Sequence, residues 1–431
     1  MSQKLFIETL GCAMNVRDTE HIIAELNKHL DYEETQTLEE ADLIIINTCS
    51  VREKPVAKLF SELGVFNIKR KKGAKIGVCG CTASHLGEEI IKKAPYVDFV
   101  VGARNVSKIA YAVQNKGTIA IDIDNDDTTY EFANYRKALY RCSVNISLGC
   151  DKSCTYCIVP STRGQEVSIP SEIIINEIEK SVANGALEVF LLGQNVNNYG
   201  TNFSDGREKT TFTKLLQDIS KIDGLKRIRF TSPHPLHMDD EFIEEFASNP
   251  KICKQIHVPL QSGNTKVLKD MKRGYTKEWF LNRCQKIRDL VPNVRITTDI
   301  IVGFPGETDE EFLDTIDVIE KVKFDSIFNF KYSPRPLTVA QNMPQVDDKI
   351  SSARLQRVIE LHKEHQDELM DKNLGKTFDV LFEDLKPNGE VFGYTDNYIQ
   401  VYVKGSEELL GKILPVKITQ AYRTSLKGEV I

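Results

Sequence analysis

Short, unbroken apolar runs alternate with helical patterns along most of the chain, and that rhythm restricts it to parallel sheets covered by helices on both faces. Residues 4–9, 43–46, 75–78 and 98–101 read as strands. Between the first two, Ile22, Ile23, Leu26 and Leu30 recur at helical spacing and predict a helix over 16–30, with Asn15 or Asp18 as its cap. A second helix is predicted over 54–71. After an acidic, aperiodic stretch at 122–129 a second strand series follows, at 143–148, 187–192, 227–230, 255–259, 295–302 and 326–331. Six strand–loop–helix units predict a partial (β/α)6 barrel, whose chemistry belongs at the C-terminal ends of its strands. A helical connector over 349–373 leads into strand-like runs at 378–382, 398–403 and 413–418, with Gly389, Gly393, Gly405 and Gly411 between them. That texture predicts a small OB-like β-barrel. The fold class is therefore α/β, with an N-terminal open parallel-sheet domain over 1–120, a linker at 121–135, the partial barrel over 136–370 and the small barrel over 371–431.

At 431 residues, about three domains are expected, with ample core and no need of disulfide staples. No run approaches the roughly 18 apolar residues of a membrane span, and residues 1–4 lead straight into a strand pattern without a signal-like apolar stretch. A cytoplasmic protein with no membrane partner is expected. In a reducing compartment ten cysteines point to metal or redox chemistry rather than disulfides. The formal charge of −6 excludes a strongly basic, histone-like binder but leaves room for nucleic acid contacted through local patches.

Cys150, Cys154 and Cys157 are spaced C-x3-C-x2-C after the first strand of the barrel series. Three thiolates can hold three corners of a 4Fe-4S cluster and leave one iron open, whereas structural zinc wants four closed ligands; zinc or free thiols is the bland alternative. Cys12, Cys49, Cys79 and Cys81 each follow a strand of the first domain, and strand ends in a parallel sheet converge. Scattered cysteines are as often small buried hydrophobes. Cys142, Cys253 and Cys284 read as reduced and packed.

Several motifs lie in one order along the chain: Gly11-Cys12-x-Met14-Asn15-x-x-Asp18; Asn47-Thr48-Cys49-Ser50-Val51-Arg52; Gly80-Cys81; and Gly149-Cys150 through Tyr156-Cys157-Ile158-Val159-Pro160, with Thr162-Arg163-Gly164. They continue as Leu191-Leu192-Gly193-Gln194-Asn195-Val196-Asn197, Pro259-Leu260-Gln261-Ser262-Gly263, residues 298–308 and Tyr332-Ser333-Pro334-Arg335. Together they resemble the methylthiotransferases of the radical S-adenosylmethionine superfamily, most closely the MiaB type, and the C-terminal barrel resembles a TRAM module that binds RNA. Ala13 departs from the glutamine common at that position of the type.

The resemblance implies two 4Fe-4S clusters, one on Cys150, Cys154 and Cys157 and one on Cys12, Cys49 and Cys81, with Cys79 a spare, packed or redox-reserve thiol. Along an extended segment Cys79 and Cys81 point the same way, so geometry alone leaves that choice open. It further implies that one S-adenosylmethionine methylates a sulfur at the N-terminal cluster. A second is cleaved reductively at the other cluster; the radical formed removes hydrogen from carbon 2 of an isopentenyl (dimethylallyl) adenosine, the tRNA purine 3′ of the anticodon, and the methylthio group is delivered there. Partners implied are a tRNA anticodon loop and a flavodoxin- or ferredoxin-like electron donor, with the chain acting as a monomer. Siblings acting on threonylcarbamoyl adenosine or on a ribosomal-protein aspartate, and a non-catalytic RNA-binding iron-sulfur protein, are the alternatives.

Gln194, Ser232, Gln261 and Asp299, with His234 and Ser262, fall at or just after predicted strand ends, where polar groups face cofactor or substrate, and Tyr156, just before the last cysteine of the loop, is a further cofactor-binding candidate. Such residues are equally ordinary loop formers. The run Lys69-Arg70-Lys71-Lys72-Gly73-Ala74-Lys75, and more weakly Arg136, Lys137 and Arg141, could touch RNA, although a solvated helix end is the commoner meaning. Phe392, Tyr394, Tyr398 and Tyr402 could stack on bases or fill a core. His234, His237 and His257 with Met238 make no defensible metal-ligand pattern.

Overall fold

A computed structural model describes residues 2–50, 53–123, 136 and 138–431. Val51, Arg52 and Lys137, and all but the first residues of the expected linker, lie outside the described residues.

The first unit is a six-stranded, all-parallel sheet of β1 (Gln3–Leu10), β2 (Tyr32–Glu34), β3 (Leu43–Thr48), β4 (Lys75–Gly80), β5 (Phe99–Gly102) and β6 (Thr118–Ala120), in the order β2-β1-β3-β4-β5-β6. The four predicted strands are there; the two edge strands are too short to carry a pattern. Helices α1 (Ala13–His29), α2 (Glu53–Lys69), α3 (Cys81–Leu86), α4 (Glu88–Lys93) and α5 (Ile109–Gln114) cover its faces. One face packs Ile44, Ile46, Ile76 and Val78 on α2; the other packs Leu43, Ile45, Cys79 and Phe99 under α1. Helix α1 starts three residues before its predicted start. Its N-cap is Cys12, while Asn15 reaches back from the first turn to accept the Cys12 N–H at 3.3 Å and Asp18 lies buried inside the helix. Neither Asn15 nor Asp18 is the cap, because a tertiary partner takes Asp18.

The second unit holds β7 (Arg141–Asn145), β8 (Ser147–Leu148), β9 (Val167–Ser168), β10 (Glu188–Leu192), β11 (Arg227–Phe230), β12 (Gln255–His257), β13 (Arg295–Val302) and β14 (Ser326–Lys331). Parallel pairing runs β7-β10-β11 and β12-β13-β14, and a bridge between Ile228 and Ile252 joins the halves into a partial barrel; β8 and β9 form a small hairpin-like pair beside it. Alternation along β13 assigns its faces: Ile296, Ile300 and Val302 enter the apolar core under the helices, while Thr297 and Asp299 project to the other side, toward His257.

The helix Asp348–Asp371 leads to a closed barrel of β15 (Thr377–Leu385), β16 (Glu390–Thr395), β17 (Gln400–Lys404), β18 (Ile413–Ala421) and β19 (Ser425–Val430), ordered β15-β16-β17-β19-β18. β16 and β19 escape the sequence pattern because Gly393 and Gly428 interrupt it. Both are required: a Cβ on Gly393 would stand 2.0 Å from the Leu381 carbonyl oxygen, and one on Gly428 2.5 Å from that of Lys417.

This barrel seats on the N-terminal ends of the central strands. Arg227, the first residue of β11, donates to the Tyr394 and Asp379 carbonyls at 2.8 and 2.7 Å, and Arg295, the first of β13, donates to the Tyr398 carbonyl at 2.8 Å. Arg229 bonds Glu188 and the Thr395 carbonyl, both at 2.8 Å, and lies 4.4 Å from the Tyr398 ring. Tyr394 and Tyr398 stack on each other at 4.6 Å within this joint. Those two rings are thus spent on docking and are not a platform for bases. Phe392 and Tyr402 pack 5.9 Å apart outside it, with the Lys386 ammonium 4.4 Å from the Phe392 ring.

Candidate cluster and cofactor site

Cys12, Cys49 and Cys81 follow β1, β3 and β4, three adjacent strands of one parallel sheet, so their loops emerge side by side. The Cys49 N–H donates to the Leu10 carbonyl at 2.9 Å, which clips the second loop to the first. Beneath them Asn47, fully buried, donates to the Asn15 carbonyl at 2.8 Å and to Thr19 at 3.0 Å, tying α1 to β3. A hydrogen bond from Cys49, helped by the nearby Arg163 charge, brings the Cys12 thiol down to about 6. Cys12 is exposed and Cys49 and Cys81 are buried, so the set opens to solvent on one side.

Cys79 and Cys81 part company. Gly80 has φ +88°, a Cβ there would lie 2.3 Å from Asn47 Oδ1, and the turn it makes ends β4 and starts α3 at Cys81. The extended geometry that would align the two thiols is therefore absent. Burial raises both thiols, but Cys79 sinks among Leu5, Ile23, Phe99 and Val101, whereas Cys81 meets Arg163, whose charge and N–H pull it back down.

Cys150, Cys154 and Cys157 occupy a half-buried loop beyond β8. Gly149, at φ +78°, packs against backbone so tightly that a Cβ would lie 2.0 Å from the Gln165 carbonyl oxygen. The Thr155 N–H and hydroxyl bond the Met271 and Asp270 carbonyls at 3.3 and 2.9 Å, pinning the loop to the segment after β12. Burial dominates the thiols here, lifting Cys150 to about 11 and Cys157 to about 12, and each also feels the charge of its neighbours in the set. Arg273 donates to Cys154 Sγ at 3.4 Å. Sequence reasoning passed over Arg273, since a lone arginine beyond a strand carries no signal by itself.

The two sets meet at consecutive residues. At the end of α6 (Val159–Arg163), Arg163 donates from Nε to Cys81 Sγ at 3.1 Å, while the Gly164 carbonyl accepts the Cys150 N–H at 3.1 Å. Among the described residues no three His, Cys, Asp or Glu side chains converge as the ligands of a single ion would, and the donors in both sets are thiols alone. That donor chemistry fits iron-sulfur clusters.

Of the predicted cofactor residues, Gln194, Ser232 and Gln261 follow β10, β11 and β12, and Asp299 lies within β13. Gln194 follows β10 with both amide atoms buried and unpartnered, as a group awaiting a polar ligand would be. Ser232, after β11, and Gln261, after β12, adopt left-handed backbone at φ 58° and 70°, conformations that non-glycine residues hold only where the fold imposes them. Asp299 pairs with His257 Nε2 at 3.1 Å. Tyr156 packs against the cluster of Val267, Met271 and Phe304. Ser262 caps the turn at Asn264, and His234 is a packed histidine: its Nδ1 accepts the Leu236 N–H, and burial beside Arg273 drives it down to about 2. The basic run lies at the other end of the first sheet. Lys71 pairs with Asp42 at 2.7 Å, Lys69 with Glu39 at 3.4 Å, and Lys75 caps the Val113 carbonyl at 2.6 Å.

Family descriptions match three parts of the chain: Radical SAM superfamily over residues 144–319, Uncharacterized protein family UPF0004 over 4–102 and TRAM domain over 371–431. The tRNA-2-methylthio-N(6)-dimethylallyladenosine synthase of Aliarcobacter butzleri (strain RM4018) is 69% identical, covering 100% of this chain and 99% of that protein. The chain belongs to that synthase family. Its namesake from Campylobacter curvus (strain 525.92) is 62% identical with 100% of each covered. Among solved structures, the radical S-adenosylmethionine methyltransferase TsrM from Kitasatospora setae superposes with a TM-score of 0.58 at 14% identity, over 79% of this chain and 74% of that one; it shares the fold. Family membership and the meeting of the two thiol sets thus bear on one region of the molecule.

Proposed function

We propose that this chain places a methylthio group on carbon 2 of N6-dimethylallyladenosine in tRNA, at the purine 3′ of the anticodon. The single observation that carries the chemistry is the meeting of the two thiol sets at Arg163 and Gly164. Cys150, Cys154 and Cys157 would hold one 4Fe-4S cluster, and Cys12, Cys49 and Cys81 the other. When bound, these groups would supply the electron that cleaves S-adenosylmethionine and the site at which sulfur is methylated.

The protein's own part is alignment and exclusion of water. Gly149 and Thr155 pin the loop of Cys150, Cys154 and Cys157, and Gln194, Ser232, Gln261 and Asp299 would bind the methionyl and ribose groups. Tyr156 supports the loop from beneath. The target adenine must leave its stack to enter, which a single-stranded anticodon loop makes inexpensive. Because the C-terminal barrel docks at the opposite end of the central strands, it would grip tRNA away from the reacting base. Residues 1–120, 136–370 and 371–431 then divide into sulfur donor, radical generator and RNA grip, in a cytoplasmic monomer reduced by a flavodoxin- or ferredoxin-like protein.

Nucleosides from tRNA of a deletion strain test the product: loss of the 2-methylthio form of dimethylallyladenosine is expected. Unchanged methylthio nucleosides refute the substrate. Iron and sulfide per chain after anaerobic reconstitution test the chemistry, with about eight irons expected and about four removing the second cluster.

A further inference from the structure

Arg163 is almost wholly buried, yet it belongs to neither thiol set and its sequence position beyond Cys157 gives it no evident task. Its guanidinium leaves α6, crosses into the N-terminal unit and divides its donors: Nε to Cys81 Sγ at 3.1 Å and Nη2 to Asp18 Oδ2 at 2.5 Å, with side-chain exposures of 4% and 7% for Arg163 and Asp18. Asp18 comes from α1, the helix capped by Cys12, and Cys81 opens α3. One planar fork therefore joins the helix that follows Cys12 and the helix that opens at Cys81 to the end of a third, which leaves the other cysteine loop.

We propose that Arg163, oriented by Asp18, is the positioning residue of the N-terminal cluster, fixing Cys81 through an N–H···S bond and setting that cluster's reduction potential with its charge. The proposal rests on Cys12, Cys49 and Cys81 being cluster ligands. Three thiolates load this site with negative charge, and a buried guanidinium is the compensating cation that geometry puts in contact with one of them. Reducing a cluster adds an electron, so a fixed positive charge and a donor on a ligating sulfur favour the reduced state and raise the potential. Asp18 is needed because an unanchored guanidinium, rich in rotamers, would not hold one donor on sulfur. A pair that merely fastened the two units would have no reason to spend a donor on a thiol. The interface already has such a fastener in the Arg17–Glu177 pair, also reaching from α1, to the helix Ser171–Ala183, where neither partner bonds a cysteine.

Redox titration of the full-length, reconstituted protein, followed by electron paramagnetic resonance, tests this. The signal that a Cys150→Ala, Cys154→Ala, Cys157→Ala variant retains unaltered identifies the N-terminal cluster, and the one it loses the Cys150 cluster. Arg163→Met should move the unaltered signal's midpoint to a more negative potential and leave the other in place, with iron still about eight per chain. Arg163→Lys, which keeps charge but not the fork, should move it less, and Glu177→Gln should move neither. An unmoved midpoint in Arg163→Met, or an equal shift in Glu177→Gln, overturns the proposal alone. If Arg163→Met loses a cluster, Arg163→Lys decides: about eight irons with a small shift supports it, and about four assigns the pair a purely structural role and overturns it. About four irons in the unsubstituted protein would instead remove the ligand reading, and this proposal with it.

Discussion

Two residues apart and both buried, Cys79 and Cys81 meet different neighbours, and the turn at Gly80 is the cause. Cys81→Ala should lower reconstituted iron from about eight to about four, whereas Cys79→Ala should keep about eight and cost roughly 1 kcal/mol or less of stability by trimming one sulfur from an apolar core. Iron analysis beside a urea melt reads both. The reverse pattern would hand the ligand role to Cys79. The other buried thiols, Cys142, Cys253 and Cys284, are each raised to about 12 by desolvation, so they stay protonated and unreactive at neutral pH.

At the scale of elements, two joints carry testable energetics. The helix Asp348–Asp371 is fastened to β14 through His362, whose Nε2 accepts the Ile327 N–H at 3.1 Å. Burial, with a minor push from His365, depresses His362 from 6.5 to about 4. The sign follows: the unfolded chain takes up the proton first as pH falls, so the stabilisation is full above pH 6.5 and disappears on acidification through 4. Between those limits the loss is on the order of 3 kcal/mol. His362→Gln retains an acceptor but does not titrate, so its urea stability should fall less between about pH 7 and about pH 4.5 than that of the unsubstituted protein. The second joint seats the C-terminal barrel. Arg229→Met would strand the buried Glu188 without its closest countercharge, a loss on the order of 3–5 kcal/mol, and limited proteolysis should then release the C-terminal barrel.

Over the whole molecule the two thiol sets belong to different units but share one contact region, which makes their activities separable. Replacing Cys12, Cys49 and Cys81 together by Ala should leave deoxyadenosine formation from S-adenosylmethionine at half or more of its original rate and abolish methylthio transfer to tRNA. Chromatography of the cleavage products and mass spectrometry of tRNA nucleosides measure the two outcomes. Docking of the C-terminal barrel at the far end of the strands places it apart from the two thiol sets. With a net charge of −6, recognition of an anionic partner must rest on local groups rather than on the overall charge.

Much of this was determined locally. Apolar runs and helical spacing are short-range signals, so the strands, the barrel series and the C-x3-C-x2-C loop were legible residue by residue, and the motif order carried the family. Short edge strands and those interrupted by Gly393 and Gly428 were not, because pairing rather than composition makes them strands. Nor could sequence separate Cys79 from Cys81, give Asp18 a partner in another unit, or show Tyr394 and Tyr398 stacked under arginines. Those outcomes depend on which side chains meet across domain boundaries, and a long-range contact leaves no periodicity in either segment that makes it.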